Sequence, residues 1–186
     1  MKKISFVIPC YRSAQTIGKV VEEIRTSMSR LSDRYCYELI LVNDFPGDDT
    51  FEVIRKLAEE YDNITGINFA RNFGQHAALM AGFHYCSGDI TVCLDDDGQT
   101  PADEVGKLLD KLEEGYDVVY AKYTHKQHSA FRNFGSRVNE LMTRFMLGKP
   151  KELYISSYFA ARKFVIDEMV RYRNSYPYVI GLVLRM

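Results

Sequence analysis

The 186 residues predict an α/β fold, a doubly wound and mainly parallel sheet flanked by helices. Three observations carry this. Short apolar runs alternate with stretches of helical periodicity through the first two thirds of the chain. The connecting stretches are long enough to be crossover helices, which a parallel sheet requires. A composition of 46% hydrophobic and 26% charged residues suits one globular domain with a sizeable core and excludes disordered or collagen-like classes.

The elements follow in order. Residues 4–9 form the first strand, and Ile17, Val20, Val21 and Ile24 recur at helical spacing within 14–28. Residues 38–42 form a second strand. Asp48 opens a helix carrying Phe51, Val53, Ile54, Leu57 and Ala58. A third strand over 64–69, a third helix over 75–86 and a fourth strand over 89–94 come next. Pro101 suits the first turn of a helix continued by Val105, Leu108, Leu109 and Leu112, and 117–121 reads as a fifth strand. From 130 to 147, Phe131, Phe134, Val138, Leu141, Met142 and Phe145 keep helical spacing among Arg132, Arg137 and Arg144. That pattern suits a helix packed on its own domain or one lying at a membrane interface.

Charge is unevenly spread. Residues 1–121 carry twelve basic against twenty-one acidic side chains, and 122–186 carry twelve against four. A basic third fits phosphates or an anionic membrane face, whereas no nucleic-acid-binding motif accompanies it. Cys10, Cys36, Cys86 and Cys93 form no CxxC pair, so reduced thiols are expected rather than disulfides or zinc ligands. His76, His84, His125 and His128 lack zinc-site spacing. The N-terminal apolar run is too short for a signal peptide and no run reaches membrane-helix length, so a cytoplasmic domain is expected.

Ligands of such sheets bind outside the carboxyl ends of the strands. Pro9, Cys10, Tyr11 and Arg12 fall there after the first strand, Asn43 and Asp44 after the second, Ala70, Arg71 and Asn72 after the third, and Asp95, Asp96 and Asp97 after the fourth. Strand alternation would put Asp95 and Asp97 on one face, about 7 Å apart, and Asp96 on the other. An acidic turn in water is one reading. A site for hard Mg²⁺ or Mn²⁺, which takes carboxylate oxygens and shares its shell with phosphate, is the other, and the company of an arginine and an aromatic on the same edge favours it. No GxGxxG or GxxxxGK is present to cradle phosphate directly.

VIPCYRSAQTI, LVNDFPGDDT, NFARNFGQHAALMAGF and CLDDDGQTP, in that order, resemble the family 2 glycosyltransferases of GT-A fold, in particular the polyprenyl-phosphate and dolichol-phosphate sugar transferase branch. The resemblance spans nearly the whole chain. It implies a single catalytic domain over 1–186, with a nucleotide-sugar half over 1–121 and a basic acceptor half over 122–186. It implies a nucleotide-diphosphate sugar donor, UDP by expectation, and inverting, metal-dependent transfer to a membrane-associated acceptor such as a polyprenyl phosphate or a glycan. By the same likeness Pro9, Tyr11, Asp44, Arg71 and Asp95 would bind nucleotide, Asp95 and Asp97 would hold Mg²⁺ or Mn²⁺, and Asp96 and Asp97 are the candidate catalytic acids. Gln99, Arg162 and Lys163 are expected on the acceptor side.

Several positions depart from the branch pattern. Asn43 stands for the usual first acid, Phe45 and Pro46 for glycine and serine, Ala102 for a second proline, and Ser156 and Ser157 where a glycine and an acid are common. A serine is no carboxylate base at neutral pH, which leaves the base unassigned unless the acceptor is an ionised lipid phosphate. A non-catalytic binding module is therefore the rival reading. A phosphatase with an aspartyl nucleophile ranks last, because its acid belongs after the first strand, where this chain has PCYR. The chain stops within the apolar run YPYVIGLVLRM, from which a truncated domain at the inner face of a membrane is expected; a homo-oligomer is left open.

Overall fold

A computed structural model describes residues 1–122 and 154–185. The helix expected over 130–147 lies outside the described residues. Among the described residues six strands form one sheet, β1 (Lys2–Cys10), β2 (Tyr35–Asn43), β3 (Ile64–Asn68), β4 (Ile90–Cys93), β5 (Val118–Tyr120) and β6 (Phe159–Arg162), in the order β3-β2-β1-β4-β6-β5. The helices are α1 (Ile17–Ser29), α2 (Thr50–Glu60), α3 (Gln75–Phe83), α4 (Val105–Glu113), α5 (Lys163–Met169) and α6 (Val179–Val183), and a 3-10 turn over Ala102–Glu104 leads into α4.

The strands bury both faces, as a doubly wound sheet must. Along β1, Ile4, Phe6, Ile8 and Cys10 enter the core under α1, α2 and α4, while Val7 enters the core under α3. β2 alternates in the same way, Leu39 and Leu41 against Ile40 and Val42. Helix α3 is apolar almost all round because it lies flat on β1 and β2. Gly82 permits this approach, since a Cβ there would come within 2.4 Å of Val7 Cγ1. At the start of α2, Asp48 accepts the Thr50 N–H, and Thr50 Oγ1 accepts the Ser13 N–H, which ties the β1–α1 turn to α2.

β1, β2, β3 and β4 run parallel as the sequence predicts. The fifth strand does not join β4 directly. β6, from much later in the chain, lies between β4 and β5 and pairs antiparallel with both. Strand pairing depends on partners remote in sequence, so apolar periodicity carries no signal for this insertion.

Candidate active site

The strand order reverses between β1 and β4: β1 leads on to β2 toward one edge of the sheet, and β4 leads on to β5 toward the other. A crevice opens at such a switch point. Here it is a cavity of about 430 Å³ lined by Pro9, Cys10 and Tyr11 from β1, Asp44 from β2, Asn72, Gly74 and Gln75 from the β3–α3 loop, and Asp95, Asp96 and Asp97 from β4. Of the residues expected to bind nucleotide or metal, Pro9, Tyr11, Asp44, Asp95 and Asp97 line it. Arg71 is not among the lining residues; it is exposed, next in sequence to Asn72, with its guanidinium 4.8 Å from the Phe73 ring centroid.

The three acids turn different ways. The chain bends from Asp96 onward, which ends the alternation that would have paired Asp95 with Asp97. Asp95 Oδ1 accepts from Gln75 Nε2 at 3.2 Å and Oδ2 accepts from Ser157 Oγ. Asp96 Oδ2 accepts the Tyr11 N–H at 2.8 Å, joining β4 to β1 across the switch point. Asp97 Oδ1 accepts the Gln99 N–H at 2.9 Å, closing a local turn. Among the described residues no three His, Cys, Asp or Glu side chains converge as an ion cage. The donor set still fits a hard divalent ion bound together with phosphate. Asp95 and Asp97 both line the cavity, and Mg²⁺ or Mn²⁺ ordinarily takes one or two protein carboxylates, with substrate phosphates and water completing the shell.

Asp44 is only 3% exposed, and each of its oxygens accepts one loop amide: Oδ1 the Phe73 N–H at 2.7 Å and Oδ2 the Gly74 N–H at 2.8 Å. Beside it, Asn43 Nδ2 donates to Phe45 O and Asn68 Oδ1. Phe45 packs edgewise on the half-exposed Tyr11 with centroids 5.1 Å apart, and the Arg12 guanidinium lies 4.7 Å from the Phe45 centroid. Arg12 reaches there from a left-handed backbone, φ 56°. Burial pushes the Cys10 thiol well above its usual pKa, so the one sulfur lining the cavity stays protonated.

Gln99 is exposed and lines a second groove of about 1090 Å³ that runs from the Asp97 turn across α1 and α4 to Tyr158. Arg162 and Lys163, expected on the acceptor side, do not line this cavity. β6 runs antiparallel, and the register Ile90↔Arg162 puts its end at the amino edge of β4. There Arg162 donates to the Tyr116 and Leu112 carbonyls, and Lys163 pairs with Asp167. Ser157, at the other end of β6, does reach Asp95. Sequence reasoning noted it only as a missing acid, and it passed over Gln75 altogether; the glycine before Gln75 was the available sign of a turn held for a purpose.

A mainly parallel, mixed sheet of this order with acids at its switch point is the GT-A glycosyltransferase fold, and solved structures of that class superpose on it. One is the glucosyl-3-phosphoglycerate synthase of Mycobacterium tuberculosis in complex with Mn²⁺, UDP-glucose and phosphoglyceric acid, with a TM-score of 0.65 and 25% identity, covering 90% of this chain and 59% of that one. The chain belongs to glycosyl transferase family 2, whose profile matches residues 5–170. Among its relatives is the undecaprenyl-phosphate 4-deoxy-4-formamido-L-arabinose transferase of Salmonella choleraesuis (strain SC-B67), 36% identical over 172 residues, 92% of this chain and 52% of that protein. The enzyme of the same name from Pseudomonas syringae pv. syringae is 32% identical over 180 residues, 96% and 53% of the two chains. The chain thus spans about half the length of the curated relatives it matches.

Proposed function

We propose that the chain is a glycosyltransferase domain that moves a sugar from a nucleoside-diphosphate donor, UDP by preference, to a polyprenyl phosphate such as undecaprenyl phosphate. The observation that carries this is the switch-point cavity, where the ends of β1, β2 and β4 bring Tyr11, Asp44 and three aspartates around a space sized for a nucleotide. The names of the relatives support the acceptor class, and the Mn²⁺ and UDP-glucose complex of the mycobacterial neighbour supports the donor class.

Asp95 and Asp97 would hold Mg²⁺ or Mn²⁺ against the donor diphosphate, where the ion supplies Lewis-acid stabilisation of the leaving group. Tyr11 would offer an aromatic face to the base, and Arg71, exposed beside the lining residue Asn72, a cation. Asp96, bound to the Tyr11 N–H, holds the β1 and β4 ends in register and keeps the cavity open between them. In the transfer, the bond from the sugar's anomeric carbon to the donor phosphate breaks as a bond to an acceptor phosphate oxygen forms on the opposite face. An acceptor phosphate is already ionised and has no proton to lose in the attack, so transfer to it needs no carboxylate base where Ser157 stands. The basic 122–186 half would meet the anionic acceptor at a membrane surface on the cytoplasmic side.

The test is calorimetric titration of the purified protein with UDP, CDP and GDP, with and without Mn²⁺, followed by a transfer assay to undecaprenyl phosphate in detergent. We expect Mn²⁺-dependent UDP binding that weakens about tenfold or more in Asp95→Asn and Asp97→Asn, since each removes a charged ligand oxygen. Binding indifferent to Mn²⁺ and to both substitutions would contradict the assignment. Binding with no transfer to any acceptor would favour the rival reading, a sugar-nucleotide binding module, which Ser157 beside Asp95 also suits.

A further inference from the structure

Alternation along β4 puts Cys93 in the core under α3 and Leu94 in the core on the other face, so Asp95 turns back to the α3 side. On β6 and its approach, Phe159 lies on the α3 side and Tyr158 on the other. The antiparallel register pairs Cys93 with Phe159, and two residues further along it brings Ser157 opposite Asp95. There Ser157 Oγ donates to Asp95 Oδ2, while Gln75, the first residue of α3, donates to Oδ1 at 3.2 Å. The backbone beside Ser157 is firmly held. Tyr158 is fully buried, and its carbonyl accepts the Ala121 N–H at 2.9 Å and the Ser156 hydroxyl at 2.8 Å.

Both donors to Asp95 are neutral. They take up two of the roughly four acceptor positions of a carboxylate without cancelling its negative charge. A lysine or arginine opposite Asp95 would neutralise it and compete with an ion, and an acid there would repel it. A carboxylate turns easily about its last torsion, and a donor on each oxygen fixes the plane in which it meets a metal.

We propose that Ser157 is a positioning residue for the ion site: its hydroxyl, together with the Gln75 amide, sets the Asp95 carboxylate in the orientation that takes a divalent ion. This rests on the donor-site reading above. It also gives the reversed direction of β6 a use. An antiparallel strand brings the residues before its start to the carboxyl end of β4, where the cavity lies, and a parallel one would bring those after its end.

The experiment compares wild-type protein with Ser157→Thr and Ser157→Val, which match each other in shape and differ in the hydroxyl, and with Ser157→Ala. Binding of Mn²⁺-UDP is measured by calorimetry, and the EPR spectrum of the bound Mn²⁺ is recorded for each. We expect Ser157→Thr to keep the wild-type affinity within about threefold and the wild-type spectrum, and Ser157→Val and Ser157→Ala to lose about tenfold and to change the spectrum. In an Asp95→Ala background, Ser157→Val should cost nothing further, because the hydroxyl acts through that carboxylate.

The positioning role is overturned if Ser157→Val binds as Ser157→Thr does. It is equally overturned if Ser157→Val still weakens Mn²⁺-UDP in the Asp95→Ala background, which would make Ser157 a direct contact of the ligand. Should Ser157→Val not fold by circular dichroism, Ser157→Ala against Ser157→Thr decides the same question. Should wild-type protein itself not bind Mn²⁺-UDP, the donor-site reading fails and the role of Ser157 falls with it; wild-type binding that ignores the hydroxyl overturns the role alone.

Discussion

Asn43 ends β2 fully buried, and its amide nitrogen donates both to the Phe45 carbonyl and to Asn68 Oδ1. A carboxylate there would face two acceptor oxygens with nothing to donate, so the departure from the family's acid has a local cause. Asn43→Asp should destabilise the fold by about 2–4 kcal/mol, read as a lowered midpoint in urea; an unchanged midpoint would show that the two donated bonds are unimportant. Gly82 is a second such position. Gly82→Ala drives a methyl into Val7 and should lose about 1–3 kcal/mol by the same measurement, whereas wild-type stability would mean that α3 can lift off the sheet freely. At this scale the sequence showed which residue types gather at strand ends, and Asp95, Asp96 and Asp97 were legible as a cluster. It did not show their partners. That Asp44 holds the Phe73 and Gly74 amides depends on a loop folded back from 29 and 30 residues away.

Strands were read to within a few residues where both faces are buried, as in β1, β2 and β4, because continuous apolar runs mark them. Helix α3 ends at Phe83 rather than at 86, since Tyr85 and Cys86 turn away through bonds to the Gly82 and Phe83 carbonyls. Beyond that end Glu38 of β2 accepts from Ser5 Oγ at 2.6 Å and from the Ser87 N–H at 2.8 Å, and pairs with Lys3 at 2.6 Å. Partial burial would raise its pKa, but the bonds from Lys3, Ser5 and Ser87 outweigh that and hold it below the usual carboxylate value. The folded state thus binds this proton less readily than the unfolded chain. The stabilisation is present above the unfolded pKa and is lost as pH falls through the lower folded one. Glu38→Gln should therefore weaken the protein at pH 7 by about 1–3 kcal/mol and flatten the acid limb of a stability-against-pH curve below about pH 4.5; a parallel curve would remove Glu38 from that limb.

For the whole molecule the decisive feature is β6. Its Phe159, Ala160 and Ala161 are buried between β4 and β5, and Ser157, just before it, reaches Asp95. A fragment of residues 1–122 would leave β4 with one open edge and β5 with no partner. We expect it to lose the cooperative thermal transition of the intact chain, as followed by circular dichroism, and a sharp transition in the fragment would show that β6 is dispensable. The amino-acid sequence by itself determined the parallel α/β class, the two buried faces and the row of acids at the ends of strands, because these follow from local periodicity and from residue chemistry. Only the tertiary structure decided that a crevice opens beyond the ends of β1 and β4, that β6 enters in reverse and carries Arg162 away from it, and that the Asp44 carboxylate holds the Phe73 and Gly74 amides. Those outcomes are set by contacts between segments far apart in the chain, for which no local pattern exists.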